Sequence, residues 1–372
     1  MTLPVTTGVE LEFWVVDDEG RLTNGRDLAD DHAGVEPEFV GPLVEVKTEP
    51  HGSAAALARD LRETVRDLLL SAEADGRHLV PLGTPLTRAA PAAEDRRGEL
   101  FEEIYGDGVR PAKNCAGTHV HLEKGNVRRQ LNLLTALDPA LALTASSPYY
   151  CGDRTMASSR AFAYRTDCGS DFREFCGLWE YVDSVDEWHD RVDDAYETFR
   201  DLAAEQGVSP DEVDEHFCPE DAVLNPVRLR REQPTVEWRA PDTALPSQVL
   251  RLATDVAELV EHAERLPVER GAVGIDADRV GIPEFQRLKR LSREAIGVGL
   301  RSDRIPQYLD VMGFDPTEYD PLCTEIRGPP TITEERARAI RLRYADRLRA
   351  DLSALSPAGT ADTDGLETLQ TG

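Results

Sequence analysis

Four short segments of this chain share one alternation, and that alternation restricts the fold more than any other feature. Gly8–Val16 (GVELEFWVV) sets Val9, Leu11, Phe13 and Val15 on one side and Glu10, Glu12 and Trp14 on the other. Leu43–Glu49 (LVEVKTE) opposes Val44 and Val46 to Glu45, Lys47 and Glu49. Gly117–Glu123 (GTHVHLE) aligns His119, His121 and Glu123. Thr235–Ala240 (TVEWRA) aligns Thr235, Glu237 and Arg239, with Val236 and Trp238 behind them. A period of two belongs to strands with unlike faces. A sheet made of these four has one apolar face and one lined by carboxylates, imidazoles and a guanidinium. A merely solvated antiparallel face would carry a mixture of Thr, Ser and Lys. Glu-x-Glu and His-x-His in one sheet mark a candidate site instead.

The remainder reads largely as helix. Ser53 is placed to cap a helix running to about Ala74, with Leu57, Leu61, Leu68 and Leu69 as its apolar stripe. Further helical patterns cover about 127–146, 187–206, 246–265, 284–299 and 333–355. Strands and helices do not alternate regularly, so the expected class is α+β. In it, an antiparallel sheet keeps one charged active-site face and helices cover the other. A single domain is expected over 1–355, followed by a small, polar, acidic tail at 356–372 that reads as disordered.

Charge narrows the partners. Lys and Arg together number 42 against 70 Asp and Glu, a formal net of −28 over 372 residues. The only lysines are Lys47, Lys113, Lys124 and Lys289. Such a charge repels nucleic acid and anionic lipid, so neither is expected as a partner. A hydrophobic content of 40% with clear periodicity argues for a folded chain rather than a disordered one. A carboxylate-rich, lysine-poor surface suits a high-salt cytoplasm, where bulk charge is screened over a few ångströms. No apolar run is long enough to span a bilayer, and Met1–Thr7 has neither a basic nor an apolar leader region. The expected location is cytoplasmic. Cys115, Cys151, Cys168, Cys176, Cys218 and Cys323 lack C-x-x-C spacing and read as reduced packing thiols. No Walker loop and no G-x-S-x-G elbow is present.

Glu10 and Glu12 lie about 7 Å apart along one strand face. Carboxylates so placed repel one another unless a cation lies near them. Hard cations such as Mg²⁺ or Mn²⁺ take oxygen ligands and bridge carboxylates to phosphates. His-x-His admits zinc as an alternative, although several glutamates and no nearby cysteine favour the harder ion. The stretch Leu143–Arg165 is rich in Ser, Gly and Pro and carries Arg154, Arg160 and Arg165, whose forks match carboxylate or phosphate. For Arg154, beside Asp153, a simple ion pair is an equal reading.

Taken together these segments resemble the glutamate–cysteine ligase type 2 family, carboxylate–amine ligases of glutamine-synthetase-like fold. Gly8, Glu10 and Glu12 match its G-x-E-x-E strand, and Val44 to Thr48 its V-E-x-x-T strand. Gly117 to His121 match G-x-H-V-H; Leu143 to Tyr149 and Ala157 to Arg160 match L-x-A-x-S-P-(aromatic) and A-S-x-R. Glu237, Arg239 and Asp242 match E-x-R-x-x-D. The five motifs occur in the family's order across residues 8–243. The middle, about 166–233, departs from it with an acidic segment bearing Trp179, Trp188 and Phe217.

The resemblance implies formation of γ-glutamylcysteine from glutamate, cysteine and ATP through a γ-glutamyl phosphate. It implies Mg²⁺ or Mn²⁺ held by Glu10, Glu12, Glu45, His119 and Glu237, and ATP contacts from Glu10, His121 and Arg239. Arg160, Arg165 and Arg239 would then serve catalysis by binding phosphate or glutamate. Other readings are a ligase of the same family using another amine, a zinc hydrolase built on His-x-His, and a non-catalytic binding protein. A homo-oligomer is compatible with all of them.

Overall fold

The computed structural model describes residues 2–30, 32–89, 93 and 95–355, so the expected tail lies outside the described residues. Among these, eight strands form the main sheet. They are β1 (Thr2–Asp17), β2 (Val35–Pro37), β3 (Leu43–Lys47), β4 (His51–Ser53), β5 (Arg77–Val80), β6 (Thr118–Glu123), β7 (Val227–Leu229) and β8 (Thr235–Trp238). The order is β2-β3-β1-β6-β8-β7, with β4 and β5 also paired to β1. Every pairing in this sheet is antiparallel.

Register sorts the side chains. Opposite residues of an antiparallel pair share a face. Leu11 faces Val46, Phe13 faces Val44, Val9 faces Val120 and Trp238 also faces Val120. On the other face Glu12 lies opposite Glu45, Glu10 between Lys47 and His119, and Glu237 between His121 and Arg228. One slip of register on any strand would exchange the two sets.

The longer helices are α1 (Ala54–Ala74), α2 (Arg96–Tyr105), α3 (Val127–Ala136), α4 (Val185–Glu205), α5 (Pro246–Arg265), α6 (Phe285–Val298) and α7 (Glu334–Ala354). α1 begins after Ser53, whose backbone is extended as a cap requires, although its hydroxyl makes no capping bond. α5 opens with Pro246, where the missing N–H costs no helix bond. Leu57, Leu61, Val65 and Leu68 of α1 and Val249, Leu252, Val256 and Val260 of α5 pack with Val9, Leu11 and Phe13 in one core. α3 is shorter than the 127–146 expectation. It stops at Ala136 and gives way to a 3₁₀ turn over Asp138–Leu143, because Pro139 cannot donate a helix bond and its ring crowds the preceding turn.

The charged face is not open. Trp14 points to the same side as Glu10 and Glu12, is fully buried, and its indole N–H donates to the Leu82 carbonyl at 2.9 Å. It belongs to a second core with Val16, Leu43, Val80, Tyr149 and, from α7, Tyr344. Phe101 of α2 and Phe199 of α4 join Phe172, Phe175 and Phe217 in a third, aromatic core. The 166–233 segment thus supplies much of a lobe beside the charged face. The expected arrangement, an antiparallel sheet with one charged face and helices covering the other, is the one observed. Helices cover the apolar face and wall in the charged one.

Phe13 tests this layering, since it is fully buried where β1 meets α1 and α5. Phe13→Ala should lower stability by about 3–5 kcal/mol in urea titrations. Replacing Leu70, 55% exposed on α1, with Ser should change it by about 0.5 kcal/mol or less. A Phe13→Ala loss under about 1 kcal/mol would contradict the assigned core.

Candidate active site

β1, β3, β6 and β8 turn Glu10, Glu12, Glu45, His119, His121 and Glu237 into a cavity of about 390 Å³. Glu38, Lys47, Arg228 and Arg239 also line it, and Phe39, Phe101, Tyr164 and Phe172 supply an aromatic wall. His119 is the hub. Its Nδ1 lies 2.9 Å from a Glu10 oxygen and 3.6 Å from one oxygen each of Glu45 and Glu237. Its Nε2 lies 3.5 Å from Glu12, and His121 Nε2 lies 3.3 Å from Glu10. The two Nε2 atoms are buried and make no hydrogen bond among the described residues.

Charges here do not balance among themselves. Lys47 Nζ stands 2.9 Å from Glu45 and 3.7 Å from Glu10, while Arg228 and Arg239 both hold Glu237, at 2.7 and 2.5 Å. Burial alone would raise Glu10, but the hydrogen bond with His119 and the nearness of both imidazoles hold its carboxyl well below the usual range. Burial opposes ionisation of Glu237 too, and Arg228 and Arg239 overcome it. For Glu38 the help of the Phe39 N–H and of the Lys47 and Arg239 charges is not enough. Burial, then the Glu12 charge, pushes it up to about 7. Burial with the charges of Glu38 and Glu10 likewise pushes Glu45 well above the carboxylate range. Burial drives His119 down, which favours the neutral imidazole that a metal ligand must be.

Such a site fits divalent cations. Three overlapping triads bring their ligand atoms within 4.8 Å of one another: Glu10, His121 and Glu237; Glu10, Glu45 and His119; Glu12, Glu38 and Glu45. No triad holds more than one imidazole, and none holds a thiolate. That donor set, with two buried imidazole nitrogens lacking partners, suits Mg²⁺ or Mn²⁺ better than a zinc site.

The arginines divide. Arg239 is held in the cavity beside Glu237. Arg160 rises from a short helix, Ser159–Phe162, capped by the Ser158 hydroxyl and followed by a π-turn over Ala163–Asp167. It is buried, donates to the carbonyls of Arg239 and Ala240, and lies across Gly117, leaving no room for a side chain there. The Gly117 N–H in turn donates to Glu12 at 2.7 Å. Gly117 therefore joins the carboxylate cluster to the Arg160 seat. Asp242, fully buried, accepts from the Ser146 N–H and the Ser158 hydroxyl and so pins both ends of the loop leading to Arg160. Arg165 gives both arms to buried Asp138, at 2.7 and 2.6 Å. With Arg160 and Arg239 it lines a small hollow that shares Tyr164 and Arg239 with the main cavity. The expectation that Arg154 binds a ligand anion is corrected. Its guanidinium donates to the Ile326 carbonyl and stacks on Tyr149, as loop packing.

Glu38 and Arg228 carry no role in the sequence reading. Glu38 lies just past β2 on backbone without a period. Arg228 sits opposite Glu237, and a weak signal did exist: Val227 and Leu229 alternate with Arg228 and Arg230. The six cysteines are all free, as expected, with Cys115, Cys168 and Cys176 buried.

The family model of glutamate-cysteine ligase family 2 (GCS2) matches residues 6–266, well over half of the chain. The chain belongs to this family. A glutamate–cysteine ligase of Natronomonas pharaonis is 27% identical over 281 residues, covering 69% of each chain. A Ruegeria pomeroyi protein, provisionally named glutamate–cysteine ligase 2, is 29% identical over 170 residues, which span 41% of this chain and 44% of that protein. In fold, the chain is similar to the glutamate–cysteine ligase of Francisella tularensis, solved in complex with AMP. The TM-score is 0.59 at 13% identity, over 94% of this chain and 91% of that one. A bifunctional glutathione synthetase of Pasteurella multocida gives a TM-score of 0.55 at 14% identity, over 95% of this chain and 53% of that one. These likenesses establish the shared α+β architecture.

Metal binding tests the site apart from any activity. Glu45 belongs to two of the three triads. Glu45→Gln should weaken Mn²⁺ binding about tenfold or more, near 1.4 kcal/mol. Free Mn²⁺ is read by electron paramagnetic resonance, with circular dichroism confirming the fold. An unchanged titration would remove Glu45 from the metal site.

Proposed function

We propose that this GCS2 protein is an ATP-dependent carboxylate–amine ligase that joins the γ-carboxylate of glutamate to the amine of cysteine. The observation that carries the reading is the set of three carboxylate-rich triads that share one cavity with Arg239. Joining a carboxylate to ATP brings two anions together, so the site's main tasks are neutralising charge and aligning the reactants. Glu10, Glu12, Glu38, Glu45, His119, His121 and Glu237 would hold divalent ions, which when bound neutralise phosphate charge and act as Lewis acids. Arg239 stands where its fork can follow charge on a transferring phosphoryl group. The names of the Natronomonas pharaonis and Francisella tularensis proteins, and the AMP bound in the latter, support glutamate, cysteine and a nucleotide as ligands.

In the first step a glutamate γ-carboxylate oxygen attacks the γ-phosphorus, and the bond to the ADP oxygen breaks. In the second, the cysteine amine attacks the acyl carbon, loses a proton, and the carbon–oxygen bond to phosphate breaks. Arg160 and Arg165 border the hollow beside the cavity. Arg165 is already matched by Asp138, so in this proposal it orients its neighbours, while Arg160 meets substrate. A second reading keeps the chemistry and changes the amine, because the lobe built by 166–233 departs from the family pattern. The charge of −28 supports work at high salt. Among the described residues no helix is long and apolar enough to cross a membrane.

The test is ADP release in molar KCl with ATP, Mg²⁺, glutamate and a panel of amines. The expected result is saturable turnover that needs glutamate and is fastest with cysteine. Turnover with another amine and none with cysteine would overturn the substrate assignment. ADP release that never depends on glutamate would overturn the ligase reading.

A further inference from the structure

Three long basic side chains line the carboxylate cavity beside its candidate ligands, and they are not alike. Arg228 and Arg239 both hold Glu237, Arg228 with both arms of its fork. The third is Lys47, one of only four lysines in a chain with 42 lysines and arginines together. Its ammonium makes three single contacts rather than one paired one. Nζ lies 2.8 Å from Glu36, 2.9 Å from Glu45 and 3.7 Å from Glu10. Register explains the arrangement. Lys47 stands opposite Glu10, and Glu36 opposite Glu45, so the four side chains share one face of β2, β3 and β1. Burial opposes the charge, yet Glu45, Glu10 and Glu36 keep the ammonium protonated well above the usual lysine range. It therefore leaves a carboxylate by moving, not by losing its proton.

The three carboxylates differ in what else they serve. Glu10 and Glu45 share a triad with His119, and Glu45 recurs in the triad with Glu12 and Glu38. Glu36 belongs to none of the three triads, and its side chain is 61% exposed. A divalent ion drawn to Glu10, Glu45 and His119 meets the lysine charge on the same carboxylates, and like charges a few ångströms apart repel. A guanidinium at this position would grip Glu45 through a rigid two-point fork. An ammonium on a four-carbon stem holds it by one contact and has another carboxylate within reach.

We propose that Lys47 is a displaceable counter-ion, which competes with divalent cations for Glu45 and Glu10 and yields to them by turning onto Glu36. Lys47 thereby sets the free metal concentration at which this part of the site fills. The proposal rests on the metal-site reading and is independent of which amine the enzyme uses.

Mn²⁺ titrations of the full chain, read by electron paramagnetic resonance in molar KCl, test this without any turnover. High salt screens the general field of the chain and leaves interactions between touching groups. Lys47→Met should tighten Mn²⁺ binding about tenfold. Lys47→Arg, which keeps the charge and adds a fork, should bind no tighter than wild type. Glu36→Gln alters no triad residue and should weaken binding about threefold, because the ammonium then rests on Glu45 and Glu10 alone. In the Lys47→Met background the same Glu36→Gln change should have no effect. Circular dichroism confirms that each variant folds. Unchanged or weaker binding by Lys47→Met would overturn the proposal, and so would a Glu36→Gln effect of equal size in both backgrounds. If Lys47→Met does not fold, Glu36→Gln still decides, since unchanged or tighter binding there would overturn the proposal as well. Wild-type protein that binds no Mn²⁺ would overturn the metal site together with it, whereas normal wild-type binding with an inert Lys47 removes this inference alone.

Discussion

Five carboxylates, Glu10, Glu12, Glu38, Glu45 and Glu237, share one cavity, and their mutual repulsion is the constraint around which the protein is built. Buried like charges can be tolerated by protonation, by cationic side chains or by bound cations. The site contains the first two in part. Glu38 and Glu45 are pushed towards neutrality, while Lys47, Arg228 and Arg239 answer for Glu10, Glu45 and Glu237. Two buried imidazole nitrogens without hydrogen-bond partners leave the third means open. A sheet able to carry that burden needs a firm opposite face. The core of α1 and α5 against Val9, Leu11 and Phe13 provides it.

Precision comes from the sheet rather than from loops. Glu10, Glu12, Glu45, His119, His121 and Glu237 all sit on paired strands, so cross-strand register fixes their spacing before any ligand arrives. The segments outside the sheet are tied to it by few, specific bonds. Gly117 connects Glu12 to the seat of Arg160 by a backbone donor and by the lack of a side chain. Asp242 closes the loop before Arg160 with a carboxylate that burial pushes up to about 6, held by the Ser146 amide and the Ser158 hydroxyl. Loss of the Asp242 bonds would free the loop that carries Arg160 without removing any hydrogen bond of the five cavity carboxylates.

The fold class and the charged face were legible because period-two alternation fixes which residues share a side, whatever packs above them. Glu12 and Glu45 could be assigned to one face separately; that they stand directly opposite each other is a matter of register, which no single segment reveals. Trp14 follows the alternation yet ends in a core, since α7 covers that end of the face and nothing local signals a distant helix. Glu38 escapes pattern reading because it follows the three-residue strand β2 on irregular backbone. Among the arginines, composition could propose anion ligands but could not see partners. Arg154 belongs to the Ile326 carbonyl, and Arg165 to Asp138, 27 positions away in sequence. The likeness to GCS2 proteins supplied what alternation could not, namely a reaction for the face to serve.

The central claim is that this face activates a carboxylate by phosphoryl transfer before any amine reacts. Positional isotope exchange tests it most directly. ATP carrying ¹⁸O in the β,γ-bridge is incubated with enzyme, Mg²⁺ and glutamate, without amine, and recovered ATP is examined for label at a non-bridging β position. If acyl phosphate forms reversibly and the β-phosphate of bound ADP can rotate, label should scramble only when glutamate is present. Unscrambled ATP, from enzyme that turns over fully once cysteine is added, would contradict the account.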